Sequence, residues 1–155
     1  MEFKFTRRTL TKLLRQCEET MQEQLEKEKD YDSVGTVELE MLTLWNYNNR
    51  YDCNYRQEVE DPNGALNNAR YIINLSIKCD EEYVEWCERN ELGNAHIDED
   101  ICLCYYTIVI NTDGTMCLVE WLGRCGAVRV IRHEEATVEK LKEWTLEMLE
   151  NIDGF

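Results

Sequence analysis

The stretch from Ile101 to His133 constrains the fold most, because it has the pattern of three consecutive antiparallel strands. Residues Ile101–Ile110 are apolar, aromatic and β-branched, which is typical of a strand. Asn111–Gly114 ends in Asp-Gly, a pair that tolerates the positive φ of a tight hairpin. Thr115–Leu122 is then the return strand, and residues 127–132, after a second glycine-containing turn, partly alternate apolar and basic side chains. We therefore expect a three-stranded antiparallel meander at about 101–133.

Two amphipathic helices are predicted near the two ends of the chain. The first covers Thr6–Lys29, where apolar residues recur at helical spacing. Its predicted buried face consists of Leu10, Leu13, Leu14, Cys17, Met21 and Leu25. The second runs from Val138 to about Asn151, with Thr137 as its N-cap and Leu141, Trp144 and Met148 facing inward.

The segments between these elements have weaker patterns. Thr36–Arg50 begins with strand-like alternation and continues with helical spacing, and we favour a helix with Thr36 as its cap. Asp61-Pro62 has the residues of a helix start and predicts a helix that extends to Lys78. A second helix start is predicted at Asp80, and the pattern leaves open whether residues 63–90 form one bent helix or two.

These elements define an α+β fold in which N-terminal helices pack on the three-stranded meander and a C-terminal helix follows. The chain has 155 residues, of which 43% are hydrophobic. A chain of this length and composition forms one domain, so we expect a single acidic α+β domain over residues 1–155.

The eight cysteines are interpreted as reduced core residues, because no secretory signal precedes them and most lie in apolar patterns. No apolar run reaches about 18 residues, so no membrane contact is expected and the location is predicted to be cytoplasmic. A zinc site built from Cys102, Cys104, Cys117 and a histidine is the alternative, but no Cys-x-x-Cys spacing supports it. The prediction is therefore no metal and no cofactor.

Catalytic motifs are absent from the sequence. It contains no nucleophile elbow, no Walker loop, no dinucleotide fingerprint and no zinc-protease motif. A cysteine paired with His96 or His133 is the remaining enzymatic alternative, since such partners meet only in the fold. We expect no catalytic residue and a protein that is not an enzyme.

Net charge is the feature of the composition that says most about possible partners. The chain has 32 acidic and 17 basic residues, a net charge of −15, which disfavours direct binding to nucleic acid and favours basic protein surfaces. Residues 80–100 carry a net charge of −8, since Arg89 is their one basic residue. Their carboxylates, the predicted partner-binding residues, are Asp80, Glu81, Glu82, Glu85, Glu88, Glu91, Asp98, Glu99 and Asp100.

This acidic run differs from an ordinary solvated helix face, which intersperses both signs of charge. Spaced carboxylates can substitute for phosphates in an electropositive cleft. The leading hypothesis is thus a non-catalytic inhibitor or decoy that binds a basic nuclease or other nucleic-acid enzyme, as anti-CRISPR and anti-restriction proteins of phages and mobile elements do. The alternatives are an immunity protein, or an acidic adaptor that binds a protein partner through Tyr51 or Tyr55.

Overall fold

The structure is a computed structural model that describes residues 5–28, 36–78, 101–103, 106–121 and 128–150, with the backbone alone for residues 28, 78, 101–103 and 121. Four helices and six strands lie in these ranges. In chain order they are α1 (Arg7–Glu28), β1 (Thr36–Thr43), α2 (Leu44–Tyr51), α3 (Tyr55–Glu58), β2 (Ala69–Lys78), β3 (Ile101–Leu103), β4 (Tyr106–Asn111), β5 (Thr115–Trp121), β6 (Val128–Glu135) and α4 (Val138–Glu150).

All the strands pair antiparallel in one sheet with the order β1-β2-β4-β5-β6. The short β3 pairs with the end of β2, beyond the part of β2 that pairs with β4. The α+β class is therefore confirmed. The predicted meander differs in detail: β4, β5 and β6 pair in succession, but Ile101–Leu103, predicted as part of the first strand of the meander, is assigned as the separate strand β3. The sheet is larger than predicted, because β1, β2 and β3 extend it.

The sheet has a helix layer on each face. α1 and α4 cover the first face and form the larger hydrophobic core with alternate residues of β1, β2, β4 and β5. Fully buried members of this core include Leu10, Met21, Ile73, Met116 and Leu141. A smaller core on the second face packs α3 and the segment after it against the opposite sides of β2, β4 and β5.

The end helices and the hairpin are confirmed. The predicted apolar face of α1 is buried apart from the partly buried Leu13. Thr137 caps α4, since its Oγ1 accepts from the backbone N of Lys140 at 3.1 Å. In the hairpin, Gly114 has φ +85°, and Asp113 Oδ1 accepts from the backbone N of Thr115 at 3.0 Å.

The helix predicted from Asp61 to Lys78 is wrong, because residues 69–78 form β2. Asp61 instead organises a turn, in which its two carboxylate oxygens accept from the backbone N of Ala65 and of Leu66, each at 2.8 Å. β2 lies between other strands and is covered on both faces at Ile72 and Ile73, which are both fully buried. Burial on both faces removes the alternation of a half-exposed strand and leaves a spacing that also fits a helix.

The helix predicted over Thr36–Arg50 is half wrong. Its first part is β1, whose buried and exposed residues alternate, and α2 begins only at Leu44. Thr36 is consequently not the cap; Thr43 is, since its Oγ1 accepts from the backbone N of Asn46 at 3.1 Å. The chain changes from strand to helix within the segment, and this explains why both patterns were present.

Two further observations concern the predictions on membranes and on the acidic run. Within the described residues, no helix combines the length and the apolar character that a membrane crossing requires. The helix start predicted at Asp80 lies outside the described residues.

Candidate functional site

The predicted partner-binding residues belong to the segment that joins β2 to β3. All nine carboxylates between Asp80 and Asp100 lie outside the described residues, but the ends of their segment do not. Lys78, the last residue of β2, and Ile101, the first residue of β3, are register partners. Asp80 and Asp100 are each within two residues of this pair in the sequence, so the segment that carries the acidic run leaves and rejoins the described part of the chain at one end of the sheet.

Thr36, the first residue of β1, is the other register partner of Lys78. We call the end of the sheet formed by Thr36, Lys78 and Ile101 the acidic end. The opposite end, where Thr43 and the Asn111–Gly114 turn lie, is the hairpin end.

α1 lies along the outer edge of β1 and supplies acceptors for that edge. The backbone N of Val37 donates to Gln22 Oε1 at 2.8 Å, and the backbone N of Leu39 donates to Glu18 Oε2 at 2.9 Å. From Val37 to Leu39 the residue number rises along β1, whereas from Gln22 to Glu18 it falls along α1. The helix is therefore antiparallel to β1, and its C-terminal half lies towards the acidic end. The two contacts also satisfy edge N–H groups that would otherwise be open to another strand.

A groove of about 680 Å³ lies between α1 and β1. Its charged lining consists of Arg15, Glu18, Glu19, Glu38 and Glu40. Arg15 pairs with Glu18, and Glu40 pairs with Arg50 at 2.6 Å. Glu19 and Glu38 are exposed and form no ion pair with any described residue. The groove therefore presents uncompensated negative charge next to the acidic end.

The helix dipoles add to this field. α4 begins at the hairpin end, where the backbone N of Ala136 donates to the carbonyl O of Gly114 at 2.9 Å. α1 begins at the same end, so both helices direct their negative C-terminal ends away from the hairpin. On α4, Glu147 pairs with Arg132 at 2.6 Å, whereas Glu143 and Glu150 are exposed.

The basic start of α1 is exposed. Arg15 pairs within its own helix, while Arg7, Arg8 and Lys12 form no ion pair with a described residue. None of these four side chains therefore pairs, within the described residues, with an acidic group of another element.

Tyr51 and Tyr55, the predicted adaptor contacts, form with Tyr47 an aromatic cluster that is only partly exposed. The ring of Tyr47 lies 4.6 Å from that of Tyr51 and 5.0 Å from that of Tyr55, measured between centroids. Tyr55 is buried, and its hydroxyl lies 2.8 Å from Thr107 Oγ1, so the suggestion that Tyr55 is a surface contact is wrong. Tyr51 is 51% exposed, and Trp45, which sequence reasoning missed, is 73% exposed. The exposure of Trp45 was not predicted, because the sequence analysis placed this residue inside a helix from Thr36 to Arg50, whereas α2 begins only at Leu44.

The cysteine–histidine alternative can be examined at Cys117 and His133, which are cross-strand partners in β5 and β6. The Cys117 thiol is fully buried and lies 3.5 Å from the carbonyl O of Ala65. Burial raises the pKa of this thiol to about 11, so it is protonated at neutral pH, whereas a nucleophilic cysteine needs a lowered pKa. His133 Nε2 lies 2.9 Å from Thr115 Oγ1. The arrangement is that of a core thiol.

The zinc alternative involves Cys102 and Cys104, whose side chains lie outside the described part of the chain. Among the side chains that the structure does describe, no three metal-binding residues are grouped.

Comparison of the chain with protein-family models, with curated proteins and with solved structures found no match.

Proposed function

We propose that this chain is a non-catalytic inhibitor that places its acidic end in the basic nucleic-acid-binding cleft of a nuclease or other nucleic-acid enzyme. The observation that carries the proposal is the register pair Lys78–Ile101, which ties both ends of the acidic run to the end of the sheet beside the acidic groove. Anti-CRISPR and anti-restriction proteins of phages or mobile elements act in this manner. An immunity protein that caps a basic toxin would use the same surface.

The physical basis is the substitution of carboxylates for phosphates. Residues 80–100 contribute nine carboxylates, and the described groove adds Glu19 and Glu38 next to the point where that segment joins the sheet. Clustered charge of one sign steers a complementary partner and accelerates association, with a strong dependence on salt. No reaction is required of any side chain.

A matched pair of charge-reversal variants tests the proposal. The first carries Glu81→Lys, Glu85→Lys and Glu88→Lys. The control carries Glu58→Lys, Glu135→Lys and Glu139→Lys, three exposed carboxylates away from the acidic groove. Both variants change the net charge by the same amount, so a difference between them reports on position.

The assay is affinity capture from a lysate of the native host on the immobilised wild-type protein and on each variant. We expect the wild type and the control to retain a basic nucleic-acid-binding protein that added DNA displaces, and that is lost as salt rises from about 50 to about 200 mM. The 81/85/88 variant is expected to retain none. Capture by that variant equal to capture by the control would contradict the proposal.

An adaptor is the second candidate, because Trp45 and Tyr51 expose aromatic surface on α2. Aromatic side chains of this kind dominate binding energy at many protein interfaces. The adaptor predicts capture that salt and DNA leave unchanged and that Trp45→Ala abolishes.

A further inference from the structure

A second cavity, of about 500 Å³, lies at the hairpin end, opposite the acidic end. This volume is within the range of sites for small molecules, about 300–1,000 Å³. The cavity lies between the start of α1, the end of β1, the start of β2 and the β4–β5 turn. Its lining residues are Phe5, Thr6, Arg7, Thr43, Arg70, Tyr71, Ile110, Asn111, Thr112 and Gly114.

The charge of this cavity is opposite to that of the chain. Two of the lining residues are arginines and none is acidic, although acidic residues outnumber basic ones by 32 to 17 in the sequence. Neither Arg7 nor Arg70 forms an ion pair with a described residue. Both guanidinium groups are therefore available to an anion.

A β-bulge gives Arg70 its position. Ala69 pairs with Asn111 and Tyr71 with Ile110, so Arg70 is the extra residue of β2 at this point. Bulges redirect the side chain of the extra residue and are frequent beside binding sites. The guanidinium lies over the ring of Tyr71, 5.3 Å from its centroid, and this cation–π contact restrains it at the cavity.

The start of α1 adds positive potential. Thr6 and Thr9 cap each other, since the backbone N of each donates to the hydroxyl of the other, at 3.0 and 3.2 Å. The N–H groups of Arg7 and Arg8 lie in the first turn, where the helix itself offers no carbonyl acceptor. A helix of 22 residues also places the positive end of its dipole here.

The remaining side chains of the lining are of two kinds: Phe5, Tyr71 and Ile110 are apolar, whereas Thr6, Thr43, Asn111 and Thr112 are polar. Tyr71 and Ile110 are buried members of the main core, and Phe5 packs against that core. Since Tyr71 and Ile110 are buried, Phe5 is the apolar lining residue that an inorganic anion would leave in contact with water. A ligand that combines an anionic group with an apolar chain would contact the two arginines and cover Phe5 as well.

We propose that the cavity binds a small organic anion, with its carboxylate or phosphate between Arg7 and Arg70 and its apolar chain against Phe5. The net negative charge of the protein does not prevent this, because it is screened beyond about 8 Å at physiological ionic strength. The acid next to the cavity, Asp113, has its oxygens engaged by Thr115 and by Asn68 Nδ2. The site is separate from the acidic end and does not depend on the function proposed for it.

Hexyl phosphate, titrated calorimetrically into the full chain, tests the proposal, with inorganic phosphate and the uncharged hexyl glucoside as comparison ligands. We expect hexyl phosphate to bind at least about tenfold more tightly than either. Arg70→Gln should weaken it about tenfold or more, the usual effect of losing a hydrogen bond to a charged group. Arg8→Gln is the control, because it removes the same charge at a residue that is next to Arg7 in the sequence but does not line the cavity.

Amide NMR spectra of the unchanged chain locate the ligand without any variant. Hexyl phosphate should shift the amide signals of Thr112 and Gly114, which line the cavity, and leave those of Glu19 and Glu38 in place. The proposal is overturned if hexyl phosphate does not bind, if inorganic phosphate binds equally well, or if Arg8→Gln weakens binding as much as Arg70→Gln. It is also overturned if the signals of Thr112 and Gly114 do not move.

Discussion

Replacing Glu18 by alanine should cost more stability than its position on a helix surface suggests. Glu18 Oε2 accepts from the backbone N of Leu39 at 2.9 Å, and the carboxylate also pairs with Arg15. The Glu18 side chain is 14% exposed, whereas that of Arg15 is 65% exposed. The contact with the edge strand is thus the better shielded of the two.

The expected magnitude follows from these contacts. A hydrogen bond to a charged group contributes about 1.5–3 kcal/mol, and an exposed ion pair about 0.2–1 kcal/mol. The higher helix propensity of alanine returns less than about 0.7 kcal/mol. We therefore expect Glu18→Ala to lower the free energy of unfolding by about 1–3 kcal/mol, a large share of the roughly 5–15 kcal/mol that holds a domain together.

Urea denaturation of the variant measures this loss, and hydrogen exchange at the Leu39 amide locates it. Glu19→Ala is the matched control, because Glu19 is exposed and contacts no edge N–H group; it should change stability by less than about 0.5 kcal/mol. Equal stability of the two variants, together with unchanged exchange at Leu39, would refute the account of how α1 protects the edge of the sheet.

Three further outcomes are expected. Asp61→Ala should lower the free energy of unfolding by about 1–2 kcal/mol in urea denaturation, because the backbone N–H groups of Ala65 and Leu66 lose their acceptors. Stability should decline as pH rises above about 10, because burial raises the pKa of Tyr47 to about 12 and also raises that of Tyr55. The protonated hydroxyl groups of Tyr47 and Tyr55 favour the folded state, and this contribution to stability is lost as pH rises through their raised pKa values. Tyr55→Phe should therefore make the loss of stability with pH less steep. Trp45→Ala should change the free energy of unfolding by less than about 0.5 kcal/mol in urea denaturation, since the side chain is exposed.

The sequence predicted the two end helices and the hairpin. α1 and α4 have one buried stripe, and the Asp113–Gly114 hairpin has its own turn chemistry, so each is specified locally. β2 was missed because Ile72 and Ile73 are buried on opposite faces of the sheet. Burial on both faces depends on the order of the strands in the sheet, which the local sequence does not show. Asp61 does accept hydrogen bonds from backbone N–H groups, as a helix cap would, but the segment that it stabilises is a turn before β2.

The candidate surface was predictable only as composition. The run of carboxylates from Asp80 to Asp100 is evident in the sequence, whereas its attachment beside β1 requires the register of Lys78 with Ile101. The roles of Glu18 and Gln22 depend on how α1 lies against β1, which no local pattern encodes. The bulge that positions Arg70 is likewise visible only in the strand pairing.

The central claim is that negative charge at the acidic end draws a basic nucleic-acid-binding protein. The most direct measurement is the amount of that protein captured from host lysate by the Glu81/Glu85/Glu88 reversal, relative to the Glu58/Glu135/Glu139 reversal, with and without competing DNA. We expect only the Glu58/Glu135/Glu139 reversal to capture the protein, and we expect added DNA to abolish that capture. Equal capture by both variants, unaffected by DNA, would contradict it.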